Sequence, residues 1–81
     1  MPTILRQNGY RLYFYSHEPN EPPHVHVDKD GCSAKYWLEP VGLARSAGFR
    51  PKDISTIFKL VRDNRENLLE AWHGYFGTER G

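Results

Sequence analysis

The spacing of apolar residues changes near residue 50, and this change constrains the fold more than any other feature of the chain. Before that point short β-prone segments alternate with turns, whereas apolar residues later recur every three or four positions. Alternation is typical of half-buried strands, and the longer spacing is typical of an amphipathic helix. The sequence therefore predicts an α+β fold: a small, mostly antiparallel sheet of four to five strands with one long C-terminal helix packed on one face.

Turn residues divide the N-terminal half into strands. Asn8-Gly9 is the preferred pair for a two-residue hairpin turn, and a second polar turn surrounds Asp30-Gly31. The prolines of "HEPNEPP" mark a loop between two hairpins. We expect strands over residues 3–6, 10–16, 24–28 and 32–38, with 41–44 forming either a fifth short strand or a helical turn.

A single helix is expected over residues 51–74. Pro51 suits the first helical position, and Asp53 brings a negative charge to the positive end of the helix dipole. Arg65 interrupts the apolar stripe, although its aliphatic stem can cover apolar surface. The residues expected to face the sheet are Ile54, Ile57, Phe58, Val61, Leu68, Leu69 and Trp72.

Length and composition restrict the class of protein. The 81 residues are enough for a single small domain (1–81), and 38% of them are hydrophobic, as in a folded chain. The net charge of +1 does not suggest a dedicated duplex binder. Because no membrane span or secretory signal is visible and Cys32 is the single cysteine, we expect a cytoplasmic protein without membrane association or an intrachain disulfide.

The stretch "EPPHVHV" places two of the four histidines two residues apart. Side chains alternate along a strand, so His24 and His26 share one face while Val25 and Val27 share the other. The valines are natural partners for the helix, which leaves both imidazoles on the uncovered face. The same alternation gives that face Arg11, Tyr13, Tyr15, His24, His26, Lys35 and Trp37. This set is too aromatic for ordinary surface and too polar for a core, which suggests an exposed recognition surface.

Four interpretations of the histidine pair stay open. The imidazoles can be structural, half-buried and hydrogen-bonded. They can be two metal ligands, with a third ligand drawn from His17, Glu18, Glu21 or Asp28. No second cluster of histidine or cysteine is evident in the sequence, so neither a metal nor a cofactor is predicted.

The other two interpretations are functional. A ribonuclease-like phosphodiesterase would use His24 and His26 as base and acid, with Lys35 beside the developing charge, because imidazole titrates near neutral pH. A pure recognition surface would stack aromatic rings on bases or on a partner, while cations bind phosphates or carboxylates. The candidate binding residues are Arg11, Tyr13, Tyr15, Glu21 and Trp37. Whether the protein is an enzyme is left open.

Four stretches carry a family resemblance: "MPTILRQNGYRLYFYSHEPNEPPHVHV", "AKYWLEPVGLA", Gly48-Phe49 and "NLLEAWHGYFG". Over nearly its full length the chain resembles the bacterial domain-of-unknown-function family 4160. The resemblance implies a small bacterial protein, encoded beside another small protein and suspected of a toxin–antitoxin role. It supplies no catalytic residue, although His24 and His26 match the family's His-x-His. The leading prediction is a toxin–antitoxin-like component that binds a partner protein or RNA, and a homodimer is a further expectation.

Overall fold

The computed structural model describes residues 3–15 and 20–77, which form five strands and two helices. The elements are β1 (Thr3–Gln7), β2 (Tyr10–Tyr13), β3 (His24–Lys29), β4 (Cys32–Leu38), β5 (Val41–Ala47), α1 (Pro51–Asp63) and α2 (Arg65–Phe76). The strands lie in one sheet in chain order, and each pairs antiparallel with the next. The predicted α+β fold with an antiparallel sheet is confirmed, but the prediction of one long helix is wrong.

The helical region divides at Asn64, which has φ −106° and ψ 10°. Its side-chain Nδ2 donates a hydrogen bond to the carbonyl oxygen of Leu60 at 2.9 Å. The next residue, Arg65, donates from Nε to the carbonyl oxygen of Leu38 at 2.9 Å, at the end of β4. Side chains that bond nearby backbone groups compete with regular helix geometry, which explains the interruption. Arg65, the charged residue that interrupts the apolar stripe, thus attaches the junction between α1 and α2 to the sheet through this hydrogen bond.

The outer limits of the helices follow standard end signals. Pro51 occupies the first position of α1, and a carboxylate oxygen of Asp53 accepts a hydrogen bond from the backbone N–H of Arg50 at 3.3 Å. Gly77 follows α2 in the left-handed conformation, with φ 70°. Among the residues the structure describes, neither helix is long and apolar enough to span a membrane.

The turns have the expected backbone, while two strands differ from the expected length by three residues and two others by one residue. Asn8 and Gly9 have φ of 55° and 83°, and positive φ at both central residues is what a type I′ turn requires. The strand expected over 10–16 ends at Tyr13, and Ser16 lies outside the described residues. The uncertain segment 41–44 is a strand that continues to Ala47, because it pairs with β4 over nearly all of that strand's length.

The hydrophobic core lies between the helices and one face of the sheet, which we call the inner face. The helices contribute Ile57, Leu60, Val61, Leu68, Leu69 and Trp72. The sheet side of the core includes Val25 and Val27, as expected, and consists of Tyr10, Leu12, Phe14, Val25, Val27, Ala34, Tyr36 and Leu38. Phe58, expected in the helix stripe, is 37% exposed, and Leu60 is buried instead. At 3.6 residues per turn, Leu60 falls on the same side of the helix as Ile57 and Val61.

Candidate functional site

The face of the sheet opposite the helices, here called the outer face, carries side chains aligned in rows. One row runs across four strands from Tyr13 through His26 and Lys35 to Arg45, because each residue is the register partner of the next. We call these residues the central row. Directly opposed side chains lie close enough to interact, so the row forms a continuous strip of phenol, imidazole, ammonium and guanidinium.

The central row is less exposed than the sequence predicted. Tyr13, His26 and Lys35 are 3%, 4% and 8% exposed, whereas Arg45 is exposed. The rings bury one another: Tyr13 stacks on His26 with centroids 5.5 Å apart, and Tyr15 meets His26 edge-on at 4.3 Å. The expectation of an open aromatic and histidine face is therefore wrong for most of this row, because the aromatic rings pack sideways along the sheet.

His24 is the first residue of β3 and is 0% exposed. Its ring packs against Trp72 of α2 with centroids 4.9 Å apart, and against Trp37 at 5.7 Å. Its Nδ1 lies 2.8 Å from the carbonyl oxygen of Pro22, and since a carbonyl only accepts, Nδ1 donates the proton of this bond. The prediction that both imidazoles look out from the uncovered side is wrong for His24, because Trp72 covers it.

The two prolines of the stretch fix the entry to β3. The carbonyl oxygen of Pro22 accepts the hydrogen bond of His24, and that of Pro23 accepts one from the backbone N–H of Leu38 at 3.0 Å. Proline lacks a backbone donor but keeps its acceptor, and here both carbonyl groups are used. The segment therefore attaches the start of β3 to the end of β4.

Lys35 is engaged by two neighbours on the outer face. It forms an ion pair with Glu21, and its Nζ lies 4.7 Å from the centre of the Trp37 ring. The Lys35 side chain is 10% exposed and that of Glu21 is 41% exposed. A mostly buried ammonium group needs such compensation for its lost hydration. The structure thus brings together three of the predicted site residues, Glu21, Lys35 and Trp37, and the other two hold the lysine in place.

Tyr13 connects the central row to its neighbours. Its hydroxyl donates to Asp28 Oδ1 at 3.0 Å, and the guanidinium carbon of Arg11 lies 4.5 Å from the centre of its ring. Arg11 also donates from Nε to Thr3 Oγ1 at 2.8 Å. Burial, together with hydrogen bonding to Tyr15 and Asp28, raises the pKa of Tyr13 above its ordinary value. The phenol is therefore a protonated donor at neutral pH.

A cavity of about 120 Å³ opens on the outer face beside the central row. A water molecule needs only about 10–15 Å³, so the cavity can hold several waters or one small polar group. Its walls come from four consecutive segments of the sheet and consist of Tyr13, Tyr15, His26, Ser33, Ala34, Arg45, Ser46 and Ala47. Of the predicted site residues, Tyr13, Tyr15 and His26 meet here.

Arg45 is a charged lining residue that the sequence did not predict, and Ser33, Ala34, Ser46 and Ala47 were not predicted either. Simple alternation from Leu43, which pairs with the inward Tyr36, would turn Arg45 toward the inner face. The register shifts at this point, however: Lys35 pairs with Arg45, so Ala44 is an extra residue in β5. Such a bulge returns the following side chain to the other face. No motif in the sequence marks the bulge, which is why alternation fails here.

A shallower depression of about 320 Å³ adjoins the cavity at the turn end of the sheet. Ser33 lines both hollows. Across the strands Arg6 pairs with Arg11, Arg11 with Asp28, and Asp28 with Ser33, so this second row also lies on the outer face. The depression is lined by Arg6, Gly9, Arg11, Asp28, Lys29, Asp30, Gly31, Cys32 and Ser33.

The described part of the chain contains no set of side chains arranged to bind a metal ion. Within residues 3–15 and 20–77, no group of three or more histidine, cysteine, aspartate or glutamate side chains is arranged to hold a metal ion. His17 and Glu18, two of the candidate third ligands, lie outside the described residues. The His-x-His metal site therefore stays an alternative interpretation that the structure does not test.

Fold and site together define a small α+β domain whose five-stranded meander carries a cationic cavity on the face opposite its helices. Comparison with protein families gives the assignment: the family described as domain of unknown function (DUF4160) matches residues 9–73, and the chain belongs to this family. The resemblance drawn from the sequence motifs is thereby confirmed. No match was found among curated proteins or among solved structures.

Proposed function

We propose that this chain is a binding domain that recognises its partner through the outer face of its sheet. This proposal depends on the cavity beside the central row, which is lined by Tyr15, His26 and Arg45 among others. Binding sites for small ligands are typically concave and combine aromatic side chains with a few polar groups that orient the ligand. The residues that contribute most to protein–protein binding are often tyrosine, tryptophan and arginine. The leading role remains a toxin–antitoxin-like component whose partner is a neighbouring gene's protein or an RNA.

The charge of the outer face favours an acidic partner. Four basic residues, Arg6, Arg11, Lys35 and Arg45, occur there with the carboxylates of Asp28 and Glu21. Glu21 forms an ion pair with Lys35, and Asp28 accepts a hydrogen bond from the hydroxyl of Tyr13. The arginines are therefore left to attract negative charge from outside the domain.

A paired-histidine phosphodiesterase is the weaker candidate. General base and general acid must both reach the substrate, within hydrogen-bond distance. His24 is 0% exposed and its Nδ1 proton is used by Pro22, while Lys35 is held by Glu21. Purified protein incubated with single-stranded and double-stranded RNA tests this directly. Metal-independent cleavage that disappears in His26→Ala, while this variant stays folded by circular dichroism, would overturn the binding-only proposal.

Association with candidate partners tests the proposed surface. The chain is expressed with its neighbouring gene product and separately cross-linked to cellular RNA, using wild type and the variants Tyr15→Ala and Trp37→Ala. The matched control is Tyr75→Ala, which removes a 43% exposed ring from α2. We expect the outer-face variants to lose at least about tenfold in affinity while the control binds normally. Retained binding in both outer-face variants, or failure of wild type to bind either partner, would refute the proposal.

Growth assays address the cellular role separately. The chain is expressed alone and together with its neighbour in a bacterial host. Arrest by one product that the other relieves is the expected result for a toxin–antitoxin-like pair. If neither product alone affects growth, the two-gene role is wrong, whatever the binding experiments show.

A further inference from the structure

We propose that the cavity beside the central row is a phosphoryl-binding site in which Arg45 supplies the charge. This inference deepens the proposed function, because it names the chemical group that the outer face recognises. It depends on the lining of the cavity, on the burial of its walls and on the position that the β5 bulge gives to Arg45.

Arg45 is available for a ligand from outside the domain. It is exposed, it lines the cavity, and it forms no ion pair or hydrogen bond with any residue in the described ranges 3–15 and 20–77. Its register partner Lys35 is instead engaged by Glu21. A guanidinium group presents donors in a fixed fork that matches phosphate oxygens, so an anion can be bound at its open side.

The other walls supply polar groups from different directions. Tyr15 follows β2, His26 lies on β3, Ser33 on β4 and Arg45 on β5. Hydroxyl and imidazole groups complement the guanidinium as hydrogen-bonding partners. A planar carboxylate accepts hydrogen bonds mainly near its own plane, whereas a tetrahedral phosphoryl group accepts them from several sides at once. The surrounding arrangement therefore favours the phosphoryl group.

The adjoining depression extends the site. Ser33 lines both hollows, and the depression beyond it contains Arg6 and Arg11. A ligand with a second phosphate, such as a nucleic-acid backbone, would continue in that direction, whereas a free phosphate or a phosphate monoester would occupy the cavity alone.

Titration with inorganic phosphate tests the site without any partner. Backbone amide resonances of the cavity residues Ser33 and Ser46 are followed by NMR in wild type, in Arg45→Gln and in Arg62→Gln, and arginine Nε–Hε resonances are followed in wild type. Arg62 is the matched control because it is an exposed arginine on α1 whose Nε lies 3.2 Å from Asp63. We expect saturable shifts at Arg45 in wild type and at the cavity amides, with a phosphate affinity about tenfold or more lower in Arg45→Gln and unchanged in Arg62→Gln. Acetate at matched ionic strength should give no saturable shift.

The remaining outcomes are decisive. Non-saturable shifts spread over all arginines, an equal response to acetate, or undiminished binding in Arg45→Gln would overturn the inference. Displacement of phosphate by a short single-stranded RNA would identify the backbone phosphodiester as the source, and phosphate binding without such displacement would identify a free phosphate or monoester. If phosphate fails to bind while Tyr15→Ala and Trp37→Ala still abolish partner capture, this inference falls and the proposed function stands.

Discussion

The ring of His24 lies against the ring of Trp72, with centroids 4.9 Å apart, so a histidine from the start of β3 is part of the packing of α2. Trp72 also meets Phe14 edge-on at 5.3 Å and Phe76 at 4.2 Å. One indole therefore joins the core of the inner face to the first imidazole of the His-x-His pair. The two histidines consequently differ in role: His24 supports the helix, and His26 lines the cavity.

His24→Ala should destabilise the fold by about 2–4 kcal/mol, because it removes a fully buried ring and leaves the Pro22 carbonyl oxygen without its donor. Urea denaturation measures the loss. His73→Ala, the same truncation at a half-buried position on α2, is the control and should cost less than about 1 kcal/mol. Equal losses in the two variants would contradict the structural role of His24.

The ion pair of Lys35 and Glu21 should be worth more than an exposed pair, because the Lys35 side chain is only 10% exposed. A double-mutant cycle with Glu21→Gln and Lys35→Met should give a coupling free energy of about 1 kcal/mol. The control cycle uses Arg62 and Asp63, whose side chains are 56% and 66% exposed, and should give less than about 0.5 kcal/mol. Comparable values in both cycles would show that burial adds nothing to the pair.

Gly48→Ala should destabilise the protein by about 2 kcal/mol or more. Gly48 has φ 94°, and an added Cβ would lie 2.8 Å from Cys32 Sγ, so both backbone strain and steric overlap oppose the substitution. Gly42→Ala is the matched control in β5, since an added Cβ there meets no atom within 4 Å. Thermal and urea unfolding of both variants provide the comparison. A Gly48→Ala protein as stable as Gly42→Ala would refute the assigned backbone conformation.

The fold should lose stability at high pH partly through Tyr36. Its hydroxyl donates to the carbonyl oxygen of Ile54 at 2.9 Å, and burial, with Tyr10 nearby, raises the pKa of Tyr36 to about 12. The folded state thus holds this proton more tightly than the unfolded state, whose tyrosine pKa is about 10. The stabilisation is fully present below about pH 10 and is lost as the pH rises toward 12.

Urea denaturation across that pH range, in wild type and Tyr36→Phe, measures this contribution. The variant should lose about 1 kcal/mol at neutral pH through the missing hydrogen bond. Above pH 10 the free energy of unfolding of the variant should fall less steeply with pH than that of wild type. The difference between the two slopes should be at most about 1.4 kcal/mol per pH unit, the contribution of one titrating group. Burial also raises the pKa of Tyr10 and Tyr13, so the stability of Tyr36→Phe should still fall to some extent as the pH rises. Tyr75→Phe, at an exposed position, should retain the wild-type slope, and an unchanged slope in Tyr36→Phe would exclude this role.

Local patterns were sufficient for the parts of the fold that short-range physics controls. Asn8-Gly9 determined the first turn because few other residue pairs adopt positive φ twice in succession. Alternation separated Val25 and Val27, which are buried in the core, from His26, which lines the outer cavity, because the pleat sends neighbouring side chains to opposite faces. The family assignment likewise followed from motifs in the chain.

Long-range contacts decided the rest. Arg65 interrupts the apolar stripe in the sequence, but only the tertiary structure shows its bond to the Leu38 carbonyl oxygen, 27 residues away, and the change of backbone angles at Asn64 that divides the helix. His24 is buried because Trp72 reaches it from the far end of α2. Arg45 faces the cavity because pairing with β4 leaves Ala44 as an extra residue. Each outcome depends on the free energy of packing between distant segments, which no local pattern of residues encodes.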